Sequence, residues 1–242
     1  MVYQMLNCLH DLRYKAHLLH RNVSFSNIMV QQNGPDGKPL FILNDFDLAT
    51  CVTDDGKFVD GPTAKHRSGS LPFMAWEKLS DLWALHERTD GNDLLPVGHR
   101  LRYDYESLLY VALWCAFKCE KVPALKKKVA EQVAAWELGP YDDLATKKSM
   151  LLGQPHSNRA HTFTQFRFTP LFEPWRKWFW SWIKAVSSAV SLVDDYGSEA
   201  CPTDLYNESD PSVVDYETMN GVWTRDNILK VLRAAEPTPL PQ

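Results

Sequence analysis

The first apolar pattern along the chain recurs every three or four residues between residues 5 and 19. This spacing puts the apolar side chains on one face and predicts an amphipathic α-helix that runs directly into His20. The members of this apolar face are Leu6, Leu9, Leu12, Ala16 and Leu19. Any chemistry in this region therefore begins at the exit of the helix.

Two short apolar runs follow, at residues 28–30 and 41–43. The segment between them, residues 31–38, is dense in Asn, Gly, Pro and Asp, which favour turns. The pattern predicts a two-stranded hairpin with a long loop. From residue 49 to about residue 70 the chain is polar and has no periodicity, which predicts a long loop that is either functional or mobile.

Helical periodicity dominates the rest of the chain. Residues 104–117 are predicted to form a buried helix. Their apolar run, residues 108–117, is shorter than the about 20 residues that a membrane-spanning helix needs. Apolar stripes at residues 125–136 and 175–186 predict two more helices, the second packed through tryptophans. Thr224 is a predicted N-cap for a last short helix. These elements indicate an α+β fold that is mostly helical.

Composition narrows the classes of partner. The 242 residues include 26 Lys and Arg against 30 Asp and Glu, so the formal net charge is −4. This charge gives no basic surface for nucleic acid and no polybasic membrane signal. The N-terminal segment lacks the unbroken apolar stretch of a secretory signal, which predicts an intracellular protein, cytoplasmic or nuclear. The five scattered cysteines suggest neither a disulfide framework nor a zinc site.

Three polar motifs occur in a fixed order around the hairpin. The first is His20-Arg21-Asn22, with Asn27 five residues after Asn22. The second, Asp-Phe-Asp, lies at residues 45–47, directly after the second predicted strand, and the third spans residues 69–77 and ends in Met-Ala-Trp-Glu. Together they resemble the catalytic loop, the metal-binding motif and the end of the substrate loop in the C-terminal lobe of the protein kinase fold.

Further details resemble the fungal-type protein kinases. They include Ser24 two residues after Asn22, an Arg-Ser-Gly-Ser run at residues 67–70, and Asp-Tyr-Glu-Ser at residues 104–107. The resemblance extends over about residues 5–185. It implies a kinase-like C-terminal lobe over residues 1–190, followed by an acidic linker, a short helix and a Pro-rich tail over residues 191–242.

The resemblance assigns a role to each matched position. Asp45 and Asn27 are the implied ligands of Mg²⁺, which prefers hard oxygen donors and here would clamp the phosphates of ATP. Asp104 is expected to accept backbone N–H bonds from the catalytic loop. His20 is expected to pack on Phe46 rather than to act as an acid or base.

Three further side chains have implied structural or regulatory roles. Arg21 is expected to pair with an acidic or phosphorylated residue in the loop after residue 49, and Ser68 and Ser70 are the candidate phosphorylation sites. Glu77 is expected to form a buried ion pair with a later arginine, for which Arg176 is a candidate.

Two departures from the kinase pattern weigh against catalysis. Asn22 occupies the position of the catalytic aspartate, and a carboxamide cannot take a proton at neutral pH. The chain also opens in the helix before the catalytic loop, and none of its eleven glycines forms a Gly-rich phosphate loop, so we expect the N-terminal lobe to be absent.

The sequence therefore predicts a pseudokinase or interaction module, with a protein partner covering the face that an N-terminal lobe would cover, and with ATP and Mg²⁺ as cofactors only if activity remains. A gene fragment without its own role is a further reading. A Ser/Thr kinase completed by a missing lobe and a small-molecule phosphotransferase are the enzymatic alternatives.

Overall fold

A computed structural model of the chain describes residues 1–59, 70–79, 98–118, 141–152, 156–197, 215, 217–219 and 221–237. The chain divides into two compact units, Met1–Lys147 and Lys148–Gln242. The described residues include mostly α-helices together with two small antiparallel sheets, which confirms the predicted α+β, mostly helical class. Several features predicted from the sequence lie outside the described residues: Ser68, the helix over residues 125–136, and residues 198–214 of the acidic segment.

The first unit begins with helix α1 (Val2–Tyr14) and strand β1 (Leu18–Leu19). The predicted helix to residue 19 was wrong at its C-terminal end, because His17 adopts a left-handed backbone conformation with φ of 53° that ends helical geometry. Leu19 is still buried, but as part of a strand. The last position of the apolar stripe therefore belongs to a different element.

Strand β1 pairs antiparallel with β4 (Thr50–Cys51). Residues 50 and 51 fall in the segment that the sequence predicted as a loop, so that prediction was wrong at its start. The pairing continues into Val52, whose N–H donates to the His17 carbonyl at 2.8 Å and whose side chain is buried. A strand of two residues is too short to leave a periodic pattern.

The predicted hairpin is confirmed as β2 (Ile28–Gln31) and β3 (Leu40–Leu43). The strands pair antiparallel, with Ile28 opposite Leu43. The side chain of Gln4 in α1 holds the outer edge of β3, because its Oε1 accepts from the Phe41 N–H at 2.8 Å and its Nε2 donates to the Pro39 carbonyl at 3.1 Å. The carboxamide thus fixes the hairpin to α1.

Helix α2 (Leu101–Lys118) is the core of the first unit and packs against α1 and the 3₁₀ turn Leu71–Phe73. The prediction of a buried helix is confirmed, since most of its side chains are buried, including the polar Arg102, Asp104 and Glu106. Buried charged groups need partners. Those partners define the candidate site described below.

Helix α3 (Tyr141–Leu152) contains the division between the units, and the second unit continues with α4 (His156–Thr164), α5 (Arg176–Gly197) and α6 (Arg225–Ala234). Helix α5 confirms the Trp-rich stripe and packs against α6. It extends to Gly197, so residues 194–197, read from the sequence as the start of an acidic linker, are helical. Thr224 caps α6 as predicted, accepting from the Asn227 N–H.

Within the described residues, no helix has both the length and the apolar character that crossing a bilayer requires.

Candidate functional site

The Asp104 carboxylate anchors the loop after β1. Asp104 lies in the first turn of α2 and is 1% exposed. Its Oδ2 accepts from the His20 N–H at 3.1 Å, and its Oδ1 accepts from the Arg21 N–H at 3.1 Å. These are the backbone bonds expected from the sequence. They hold Arg21 at φ 68°, a left-handed conformation that a non-glycine residue adopts only when its surroundings impose it.

His20 contributes packing and backbone hydrogen bonds. Its ring meets Phe46 edge to face, with centroids 4.9 Å apart, which confirms the predicted contact. Its Nδ1 is 3.3 Å from the Asn22 N–H, and its Nε2 is 3.0 Å from the Asn44 carbonyl. Because an N–H only donates and a carbonyl only accepts, this pattern fits a neutral ring that carries its hydrogen on Nε2. Both ring nitrogens are therefore engaged with the backbone.

Asn22 lies next to Asp45, the first residue of the Asp-Phe-Asp motif. The Asn22 Nδ2 donates to the Asp45 Oδ2 at 3.3 Å, a long hydrogen bond. The Asn22 Oδ1 is buried and has no hydrogen-bond partner within the described residues. Asp45 has φ of 64°, so it too is in a left-handed conformation. Two of the three residues that the sequence assigned to the catalytic centre, Asn22 and Asp45, are thus in contact, and the Asn22 amide nitrogen donates to the carboxylate.

Asn27 lies at the same end of the hairpin as Asp45. It ends the 3₁₀ turn Phe25–Asn27, and its carbonyl accepts from the Asn44 N–H at 2.8 Å. Its side-chain Nδ2 donates to the Asn22 carbonyl at 2.9 Å, and its Oδ1 accepts from Ser26 at 3.3 Å. The hydrogen bond from Nδ2 to the Asn22 carbonyl therefore fixes the orientation of the Asn27 carboxamide.

The oxygens at this end of the hairpin are of the type that Mg²⁺ binds. With its nitrogen fixed, Asn27 offers Oδ1, and Asp45 offers a carboxylate. Mg²⁺ commonly takes one or two protein oxygens and keeps several waters, so this pair fits the ion. No cluster of three or more His, Cys, Asp or Glu side chains suited to a metal occurs among the described residues. Asp45 and Asn27 are therefore residues of the type that could hold Mg²⁺.

Arg21 projects into a cleft with a cationic lining. Polar groups of the lining come from Arg21, Asn22, Ser70, Lys78, His99 and Ser107, and no carboxylate is among its lining residues. The Arg21 Nε is buried and has no hydrogen-bond partner in the described part of the chain. Burial lowers the pKa of Arg21, and the nearby Asp104 opposes that shift. The structure therefore brings Arg21 and Ser70 to one cleft, while Ser68 lies outside the described residues.

Glu77 forms the expected ion pair, but its partner is Arg102. Two parallel hydrogen bonds of 2.5 and 2.7 Å join the guanidinium and the carboxylate, and the Tyr103 hydroxyl donates to the same carboxylate at 2.8 Å. The assignment to Arg176 was wrong, and Arg176 pairs with Glu173. Burial raises the pKa of Glu77, but the hydrogen bonds and charge of Arg102 outweigh it, so the pKa lies below its ordinary value.

Two further side chains of this region were missed in the sequence. His99 places its Nε2 2.9 Å from Asp104 Oδ1, and Glu106 accepts from the Trp76 N–H at 2.7 Å and from the Tyr110 hydroxyl at 2.6 Å. The only signal was position: Glu106 lies in the Asp-Tyr-Glu-Ser run, and His99 lies five residues before Asp104. Neither residue belongs to one of the three ordered motifs.

Comparison with known proteins gives one family. Residues 2–116 match a family model described as fungal protein kinase. The match includes the hairpin, the loop at His20 and all but the last two residues of α2. It stops before residue 185, to which the sequence resemblance was extended. No curated protein matches the chain.

The ion pair of Glu77 gives a stability prediction. Glu77→Gln removes the carboxylate that forms two hydrogen bonds with the buried Arg102 guanidinium, and breaking a buried ion pair typically costs about 3 kcal/mol. We expect the amide of Leu79, in the same segment, to exchange with solvent faster by on the order of 100-fold at neutral pH. Asp143→Asn, at an exposed ion pair with Lys147, is the control and is expected to change exchange little.

The pH dependence of this difference has a defined sign. The pKa of Glu77 is lowered in the folded state from an ordinary value of 4.5, so its stabilisation is complete above that value and is lost as the pH falls through the folded pKa. The exchange rates of wild type and Glu77→Gln should therefore converge in acid. A constant ratio of the two rates from neutral pH into acid would contradict this role of the pair.

Proposed function

We propose that the chain is a pseudokinase, and the premise is that residues 2–116 match the model of the fungal protein kinase family. In this proposal the kinase-like C-terminal lobe retains the geometry of the phosphoryl-transfer site but does not accept the proton of an attacking hydroxyl. The lobe then acts as an interaction module. Proposed cofactors, if nucleotide is bound at all, are ATP and Mg²⁺.

The contact between Asn22 and Asp45 carries the proposal. An aspartate at position 22 would set a second carboxylate about where the Asn22 amide lies, 3.3 Å from Asp45 Oδ2, and two carboxylates that close need a shared proton or a cation. Asn22 instead donates a hydrogen bond to Asp45 and satisfies its charge in part. General-base catalysis typically contributes about 10²- to 10⁴-fold to a rate, and a carboxamide cannot supply it.

The chemistry that Mg²⁺ supplies when bound is neutralisation of phosphate charge. Asp45 and Asn27 are the residues proposed to hold it. Asp104, through the His20 and Arg21 amides, keeps the loop in the shape that brings Asn22 to Asp45. The chain's own contribution is therefore orientation of the oxygen ligands, without a group that removes the proton.

A second candidate is a Ser/Thr kinase that is completed by an N-terminal lobe. The observation that favours it is a half-exposed apolar face beside Asn27 and Asp45. Met29 and Ile42 are cross-strand neighbours, 50% and 40% exposed, and Phe46 is 42% exposed. Exposed apolar side chains of this kind suit a surface that another domain covers. On the pseudokinase proposal, a protein partner covers the same face.

A phosphotransfer assay tests the pseudokinase proposal. The chain is incubated with Mg²⁺, ATP labelled on the γ-phosphate, and a Ser/Thr substrate such as casein, alongside Asn22→Asp and Asp45→Ala. We expect wild type to transfer no more phosphate than Asp45→Ala, because no base is present. Transfer by wild type that Asp45→Ala abolishes would contradict the pseudokinase proposal. Transfer by Asn22→Asp alone would support it, since the restored carboxylate would be the missing group.

We also propose that the cleft at Arg21 receives a phosphate carried by Ser70, with Ser68 as the alternative site. The support is the buried Arg21 Nε without a partner, the neighbouring Lys78, and the absence of a carboxylate from the described lining. A phosphoserine brings nearly two negative charges and three acceptor oxygens, which arginine binds well.

Phosphorylation of Ser70 should therefore stabilise the fold through Arg21. With phosphoserine incorporated at residue 70, we expect the Tm to rise by several degrees, as charge-assisted hydrogen bonds of about 1.5–3 kcal/mol would produce. The rise should be lost in Arg21→Gln. An equal rise in that variant would show that Arg21 does not bind the phosphate.

A further inference from the structure

His99 makes a buried contact that none of the three sequence motifs predicts. It lies just before α2, and its Nε2 is 2.9 Å from Asp104 Oδ1. The two side chains are 7% and 1% exposed, so water competes little for either group. The ring also meets Tyr103 edge to face, with centroids 5.4 Å apart. His99 is therefore both a packing residue and a hydrogen-bond partner of the carboxylate that anchors the loop.

The hydrogen on His99 can be assigned from its partner. Asp104 already accepts two backbone N–H groups, and it presents Oδ1 to the imidazole as a third acceptor site. A carboxylate has no hydrogen to give, so Nε2 carries the hydrogen and donates it, in the neutral or the charged ring. Oδ1 is thus shared between the His99 ring and the Arg21 amide.

We propose that His99 is a positioning residue for the loop at residues 20–22. By donating to Oδ1 it fixes the rotation of the Asp104 carboxylate, and the fixed carboxylate then receives the His20 and Arg21 amides in line. The same loop presents Asn22 to Asp45. His99 acts on that contact only through Asp104, and the inference holds whether the loop transfers phosphate or not.

The simpler account is that His99 only fills space against Tyr103. The two accounts differ in what a substitution must preserve. His99→Phe keeps an aromatic ring against Tyr103 but has no donor, whereas His99→Gln loses the ring but keeps an N–H₂ donor at the end of a chain of similar length. If His99 positions the loop, Gln should preserve the slow exchange of the His20 and Arg21 amides better than Phe does. If His99 only packs against Tyr103, Phe should preserve it better than Gln does.

The test is residue-resolved amide hydrogen exchange on the full chain, measured by NMR for wild type and both variants. Loss of a hydrogen bond to a charged group should raise exchange of the His20 and Arg21 amides about tenfold or more in His99→Phe. Exchange of the Leu9 and Leu109 amides, in α1 and α2, should change much less. In His99→Gln, the His20 and Arg21 amides should stay close to wild type.

Three results would overturn the proposal. The first is unchanged exchange at His20 and Arg21 in His99→Phe. The second is an equal rise at Leu9 and Leu109, which would mean that the whole unit is destabilised. The third is exchange in His99→Gln as fast as in His99→Phe. Should the Phe variant not fold, His99→Leu replaces it in the same comparison, and the same outcomes decide.

Discussion

The carboxylate of Asp104 is the group on which the arrangement of the site depends. It is buried, and the donors around it come from two places in the chain: the loop at His20 and Arg21, and His99, which lies two residues before α2. A charged group that is removed from water must be satisfied by such donors, and here it determines the backbone path of the loop. The left-handed conformation of Arg21 is maintained because its N–H is held.

From this anchor the contacts continue to the hairpin. The loop carries Asn22, whose carbonyl orients the Asn27 side chain and whose amide meets Asp45. Asn27 in turn pairs through its backbone with Asn44, the neighbour of Asp45. The Asn22 side chain and the oxygens of Asp45 and Asn27 are thus arranged by hydrogen bonds between the ends of β1, β2 and β3. A change at Asp104 would reach Asp45 through these steps.

The first turns of α2 also hold the segment at residues 70–79. Arg102 pairs with Glu77, and Glu106 accepts from the Trp76 N–H. Between them along the helix, Asp104 accepts from the loop at His20, so each of these three buried charged residues has its own partner. This explains how one helix can be buried almost throughout and still carry charge. The helix supplies apolar packing along its length and polar anchors at its N-terminal end.

The sequence predicted the parts of the site that belong to ordered motifs. Asn22, Asn27 and Asp45, and the Asp104 bonds to the loop, all follow from the resemblance of these ordered motifs to the family pattern. The partner of Glu77 could not be predicted, because an ion pair between residues 25 positions apart depends on how the chain folds back, not on a local pattern. His99 was missed for a different reason: it lies only five residues before Asp104 but belongs to none of the three ordered motifs. Strand β4 was missed because two residues carry no periodicity.

The most direct test of this account is the stability of α2 when Asp104 becomes a carboxamide. Asp104→Asn offers one acceptor oxygen to three donors and turns its own N–H₂ toward at least one of them. The account predicts that the free energy of opening at the Leu109 amide, measured by hydrogen exchange, falls by at least about 2 kcal/mol, while the exposed Asp36→Asn leaves it unchanged. A loss at Asp104→Asn within about 0.5 kcal/mol of the control would contradict the account.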